Sequence, residues 1–260
     1  GSALKVVPRQ SYVLATKVGR LLVPEDPSKL ESIGFENPLP FLPTFDFSYD
    51  AVRRSVEESL RRLGLDRVDI LHIHDPDNIS ADEVKGAYNA LNELRQKGHV
   101  GAIGVGTNQA ETLVRLSRDF EFDCFLLAGR YTLIDHTALE ELLPLSVRNQ
   151  ISVILGGPYN SGILATGATP DARFNYFTAS SQVMAKVRQI EEVCSRHSVP
   201  LKAASLQFPL AHPAVASVIP GARSIAELEE NFKMMSLPIP DGFWKELRER
   251  KLLPPLAPTP

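Results

Sequence analysis

Short runs of apolar and β-branched residues alternate along the chain with longer stretches whose apolar positions recur every three or four residues. Six of the short runs predict strands: 12–18 (YVLATKV), 68–74 (VDILHIH), 102–106 (AIGVG), 123–128 (DCFLLA), 152–156 (SVILG) and 216–219 (ASVI). The stretches between them predict helices over 49–63, 81–97, 109–117, 137–147, 180–197 and 224–235. Over 49–63, Val52, Val56, Leu60 and Leu63 share one helical face, with Arg and Glu on the other. Strands joined through helices lie parallel, with the helices covering them. A further helix over 241–251 precedes a tail holding Pro254, Pro255, Pro258 and Pro260.

Two α/β architectures suit this order, the doubly wound sheet and the (β/α)8 barrel. The first carries G-x-G-x-x-G after an early strand when it binds a dinucleotide. That motif is absent, as is a G-x-x-x-x-G-K-[ST] phosphate loop. Residues with chemical potential stand instead at the C-terminal ends of several different strands: Lys17, His74, Thr107-Asn108 and Gly156-Gly157. A barrel gathers its active site there, so we expect a single barrel domain over 1–260. Closure takes eight strands and the pattern yields six, so either two strands escape the pattern or about two βα units are missing from the front of the chain. The segment 19–48 contains five prolines and reads as a long irregular loop on the active-site face. Phe35, Phe41, Phe45 and Phe47 would either line a pocket there or pack the loop against itself.

Composition narrows the function classes. With 43% hydrophobic and 23% charged residues in 260, the chain holds a substantial core. A formal net charge of −3 gives no electrostatic case for nucleic acid or an acidic membrane, and no apolar run approaches membrane-spanning length. The first ten residues lack a signal-peptide core, and two cysteines, Cys124 and Cys194, make no disulfide framework. A reduced, cytoplasmic compartment follows as the simplest expectation, with a small molecule as partner and the oligomeric state open.

Lys17 ends an otherwise apolar strand, and alternation puts it on one face with Val13 and Ala15. On an inward face its ammonium would be partly buried and chemically active; on an outward face it would simply reach solvent. His74 shares a face with Ile70 and His72 and stands at the strand mouth, where a neutral imidazole suits polarising a carbonyl. His72, one layer deeper, suits a core histidine better. No third ligand at a recognisable spacing accompanies the two, so no metal is expected. Thr107 and Asn108 suit hydrogen bonding to a flat polar ring, or merely mark a strand-to-helix turn. Gly156-Gly157-Pro158-Tyr159-Asn160-Ser161-Gly162 reads either as a backbone cradle for pyrophosphate or as a mobile turn. Ile219, Pro220, Gly221 and Arg223 lead into the helix bearing Glu227, Glu230 and Asn231, whose N-terminus suits phosphate and whose side chains suit an adenine edge.

Together these stretches resemble the aldo-keto reductase superfamily. The resemblance rests on ATKVGR at 15–20, VDILHIH at 68–74, GHVGAIGV at 98–105, SGIL at 161–164, VIPGARS at 218–224 and Glu230-Asn231, in order over nearly the whole chain. LAGRYTLID and GGPYNSGIL further resemble the bacterial aldose dehydrogenases of the L-fucose and D-threo-aldose type and their pyridoxal 4-dehydrogenase relatives. The resemblance implies a (β/α)8 barrel that binds a nicotinamide cofactor across its C-terminal face and uses Asp, Tyr, Lys and His. Lys17 matches the lysine that lowers the tyrosine pKa, and His74 the histidine that orients the carbonyl. The Asp and Tyr belong to a segment resembling F-D-T-A-x-x-Y-G, which is expected to lie upstream of this chain; Tyr12 stands on the wrong side of its strand.

There are also departures from the family pattern. Gly156 stands where a tyrosine usually stacks on nicotinamide, with Tyr159 three residues on, and Ala128 replaces a common glutamine. Glu227 stands where NADP-preferring members often carry arginine, which favours NAD over NADP. The implied function is hydride transfer between nicotinamide and an aldose or other small aldehyde–alcohol pair. The alternative is a cofactor-binding or regulatory protein without turnover.

Overall fold

The computed structural model describes residues 1–26 and 39–260. These divide into two units, Gly1–Thr107 with Arg115–Cys124, and Asn108–Val114 with Phe125–Pro260. The first unit runs through β1 (Ala15–Val18), β2 (Arg20–Pro24), β3 (Phe41–Phe45), α1 (Tyr49–Leu63), β4 (Ile70–His74), α2 (Ala81–Gln96) and β5 (Ala102–Thr107). Its helices begin where side chains can satisfy the free N–H groups. The Ser48 hydroxyl accepts from the Ala51 N–H at the start of α1, and Ser80 and Glu83 form a reciprocal capping box on α2. Gly64, at φ 60°, ends α1 in the left-handed conformation and donates to the Leu60 carbonyl.

β1 pairs with β4 and β4 with β5, all parallel, so neighbours in the sheet are successive βα units. Two aspartates fix this register. Asp69 accepts the Leu14 N–H on its carboxylate at 2.7 Å, and its carbonyl accepts from Gly101 and Ala102. Asp123 accepts from the Ile103 N–H at 2.8 Å and from Arg95. The register aligns Lys17, His72 and Gly104 in one row, with His74 opposite Gly106. Val52, Leu71, Ile73, Val84, Leu91, Ile103 and Val105 are buried beneath the helices.

After α3 (Ala110–Leu116), the chain continues through β6 (Cys124–Ala128), α4 (Leu142–Arg148), β7 (Ser152–Gly156), α5 (Ile163–Thr166), β8 (Arg173–Phe174) and β9 (Phe177–Thr178). It then forms α6 (Ser181–His197), α7 (Leu201–Gln207), β10 (Val215–Ile219), α8 (Ile225–Met235) and α9 (Asp241–Glu249). In the second unit β7 pairs parallel with β10, placing Gly156 beside Ile219. Tyr131, Phe208, Phe243 and Trp244 pack at ring distances of 4.9–6.4 Å in its core. Leu252, Leu253 and Ala257 bury the proline-rich tail against this unit.

All six strands read from the pattern are present. Other readings need correction. The segment 19–48 is no irregular loop where it is described: β2 and β3 form an antiparallel ribbon, with Leu22 opposite Pro43 and Pro24 opposite Phe41. A two-stranded ribbon has only edge strands, where proline's missing N–H is tolerated. Phe47 packs on Gly19 and against Phe45, at 5.9 Å, so these aromatics serve their own ribbon; Phe35 lies outside the described residues. The helix expected over 137–147 is a 3-10 turn (Thr137–Leu139) followed by α4, because Pro144 would clash with the Glu140 carbonyl in a continuous helix. α7 escaped the pattern because Ala203, Ala204, Ser205 and Leu206 are all buried, which erases amphipathic periodicity.

A Cβ at Gly104 would overlap the Cys124 carbonyl oxygen and press on the His72 ring. Gly104→Ala should therefore destabilise the protein by about 3 kcal/mol, through forced separation of neighbouring backbone. Urea unfolding checks this; a loss below ~1 kcal/mol would show that the strands separate without strain.

Candidate active site

Lys17 is the third residue of β1 and is exposed, as is Ala15 on the same face. Of the two readings of its strand position, the exposed one is what the structure shows for its side chain. Alternation fixes which side of the strand a residue takes, but not what covers that side. The ammonium still acts on its neighbours. His72, its register partner, is buried, with Nε2 3.5 Å from the Cys124 Sγ, and is the core histidine its depth suggested. Burial, then the Lys17 charge, pushes its pKa down to about 4.

His74 ends β4 with its side chain 27% exposed. Burial, then the positive charges of Lys17 and Arg20, hold its pKa down at about 4. It is thus a neutral imidazole at neutral pH, able to donate one hydrogen bond beside a fixed cation. Asp75 follows in the left-handed region, at φ 48°, and its N–H donates to the Gly106 carbonyl. Its carboxylate lies 3.4 Å from His74 Nε2 and accepts from Arg20 at 2.6 Å. Burial raises the Asp75 pKa against the opposing charge of Arg20. Thr107 donates to Asp77 at 2.6 Å, and Arg115 donates to the Pro76, Asp77 and Ile79 carbonyls, so the segment after β4 is held from two sides. The group presents a neutral donor beside two cations, suited to orienting an oxygen that gains negative charge.

In the second unit, the turn after β7 contains a run of positive φ angles: Gly157 at 59°, Asn160 at 44°, Ser161 at 60° and Gly162 at 102°. Its polar groups are partly committed to the scaffold. The Asn160 side chain accepts from Thr132 and donates to the Gly129 carbonyl, while the Asn160 and Gly162 N–H groups donate within the turn. The Ser161 hydroxyl accepts from the Tyr176 N–H. The Tyr159 hydroxyl donates to Asn231 Oδ1 at 2.7 Å. Gly221, after Ile219 and Pro220, opens on free space, and Glu230 pairs with Lys202. Arg223 is clasped by Glu227, which accepts from its N–H, Nε and Nη2. The Asn108 carbonyl accepts from Arg130 Nε at 2.7 Å, and Arg130 also reaches Asp135 and Asn175.

The positioning roles of Arg20 and Arg130 are not apparent from strand periodicity. Each follows a glycine immediately after a strand, as Gly19-Arg20 and Gly129-Arg130, and that repeated dipeptide is the signal available in the sequence.

A model of the Aldo/keto reductase family matches residues 1–251. The chain belongs to the aldo/keto reductase family. It is 37% identical to a D-threo-aldose 1-dehydrogenase from a Pseudomonas species, over 98% of this chain and 79% of that one. It is 35% identical to a pyridoxal 4-dehydrogenase from Microbacterium luteolum, over 97% and 79%. Among solved structures, it matches the holo form of an aldo-keto reductase from Bacillus halodurans with a TM-score of 0.73 and 24% identity, over 97% of this chain and 76% of that one. The fold is accordingly the (β/α)8 barrel type of this family, as expected from the strand-end residues.

Replacing Lys17 with Met removes a charge that opposes imidazolium formation, so the His74 pKa should rise from about 4 toward 6.5. An NMR titration of the His74 ring tests this, and an unchanged value would place the ammonium too far away to matter. His72, His74 and His136 all lie at about 4 in the folded chain, below their value of 6.5 when unfolded. Below pH 6.5 the unfolded chain takes up protons that the folded one refuses. Stability should therefore fall between pH 6.5 and pH 4, read as a declining urea midpoint.

Proposed function

We propose that this protein is an NAD-dependent oxidoreductase acting on an aldose or another small aldehyde–alcohol pair. The coupled Lys17–His74 group carries this reading, supported by the similarity to dehydrogenases acting on small molecules. Neutral His74 donates to the substrate oxygen and fixes its position. Lys17 steadies negative charge growing on that oxygen. Arg20 anchors the Asp75 carboxylate beside His74 at the mouth of its strand.

The second unit offers groups that fit a nicotinamide cofactor. Asn231 is buried and its Nδ2 has no hydrogen-bond partner among the described residues, a donor that an adenine nitrogen would satisfy. Gly221 and Gly162 leave open space where a Cβ would stand, so backbone can approach a phosphate closely. Asn108 would serve the carboxamide; Gly156, Gly157, Tyr159, Ser161 and Gly162 would serve the nicotinamide and pyrophosphate. The cofactor, when bound, supplies or accepts the hydride. Glu227 underlies the preference for NAD, because it occupies the Arg223 guanidinium and would repel a 2′-phosphate. A cytoplasmic setting suits two free, buried cysteines, and no described helix is long and apolar enough to cross a membrane.

Fluorescence titration should show NADH binding more tightly than NADPH, with Glu227→Gln narrowing the gap by about tenfold as Arg223 is released. Preferential NADPH binding by the unaltered chain would overturn the cofactor assignment. Lys17→Met should abolish L-fucose-dependent NAD reduction and leave NADH affinity within about twofold. Equal loss of both would make the lysine structural, and NADH binding without turnover in the unaltered chain would favour the cofactor-binding reading.

A further inference from the structure

Within the second unit, a cavity of about 300 Å3 is lined by His136, by Lys186 of α6, and by Arg248, Lys251, Leu252 and Leu253 around the end of α9. Among the described residues, no carboxylate lines it. The nearby acids are committed elsewhere: Asp135 to Arg130 and Thr137, Glu192 to Arg250, Glu246 to Arg196 and His197, and Glu249 to Lys245. Three cationic side chains thus converge with no ion-pair partner among the described residues.

Their hydrogen-bonding capacity is also incompletely used. Lys186 is half-buried and donates to the Ile134 carbonyl at 3.0 Å, and Arg248 donates through Nη2 to Ala257 and Thr259. Burial lowers the Lys186 pKa, with Asp135 opposing that shift. The Nε2 of His136 is buried without a partner among the described residues. Leu252, Leu253, Pro254 and Pro255 give the lining an apolar part.

We infer that this cavity binds a phosphomonoester of a small organic molecule. A phosphomonoester carries a charge near −2 at neutral pH and three acceptor oxygens, which answers three cations better than one carboxylate does. The volume is that of roughly ten waters at ~30 Å3 each, enough for the phosphate and a short carbon chain on the apolar part of the lining. This site is separate from the residues assigned to substrate and cofactor, and does not rest on the proposed oxidoreductase activity.

Isothermal titration of the full chain with glycerol 3-phosphate, inorganic phosphate and glycerol tests the inference, with and without saturating NADH. Glycerol 3-phosphate should bind saturably, glycerol should not, and NADH should not displace the phosphoester. Lys251→Glu, an exposed change that leaves the fold intact, should weaken binding at least tenfold. Lys186→Met combined with Arg248→Gln should abolish it, whereas Lys186→Arg should retain it. Absence of saturable binding, displacement by NADH, or unchanged affinity in Lys251→Glu would overturn the inference. Inorganic phosphate binding as tightly as glycerol 3-phosphate would overturn the role given to the apolar part of the lining.

Discussion

The register of the first unit depends on backbone amides held by aspartate carboxylates at the strand entrances. Asp69 takes the Leu14 N–H on its carboxylate and the N–H groups of Gly101 and Ala102 on its carbonyl, tying β1 and β5 to the start of β4. Burial works against the charge on Asp69, but the Leu14 amide and the Arg9 guanidinium outweigh it and keep its pKa below the usual carboxylate range. A shift of one residue would move every side chain of a strand to its other face. With the register fixed, Lys17, His72 and Gly104 share one row and His74 arrives at the rim.

That row has an electrostatic consequence. Burial, and after it the Lys17 charge, holds both histidines neutral, and the two then behave differently because of depth. His72 is sealed against Cys124 and Gly104 and serves packing; His74 remains partly accessible beside the Arg20–Asp75 pair. The same residue type two positions apart therefore has two uses, decided by solvent access and by what stands beside each ring. Gly104 belongs to this arrangement as much as the charged groups do, since any side chain there would displace the ring behind His74.

In the second unit, the polar groups of the β7 turn bind their own scaffold first. Asn160 satisfies Thr132 and Gly129, and Ser161 holds Tyr176, so the turn is shaped before any ligand arrives. This favours preorganisation over adaptability: the backbone conformation is set by residues whose side chains are unavailable for other work. Asn231 differs, with one amide end bonded to Tyr159 and the other unsatisfied among the described residues. The pair Arg223–Glu227 shows how one carboxylate can alter the character of a nearby cation without removing it.

The sequence by itself determined the order of strands and helices, and the parity that groups Lys17 with Ala15 in one strand and His74 with Ile70 and His72 in another. These follow from local rules, because period acts within a few residues. The family was legible for the same reason: its motifs are short and lie at strand ends. Only the tertiary structure decided that Lys17 is exposed, that prolines at 24 and 43 sit in a ribbon, and that Asn160 is spent on Gly129 and Thr132. It alone brought Lys186 of α6 together with Arg248 and Lys251 more than fifty residues later. What covers a face, and which partner has already claimed a polar group, depends on residues distant in the chain, and no local pattern records them.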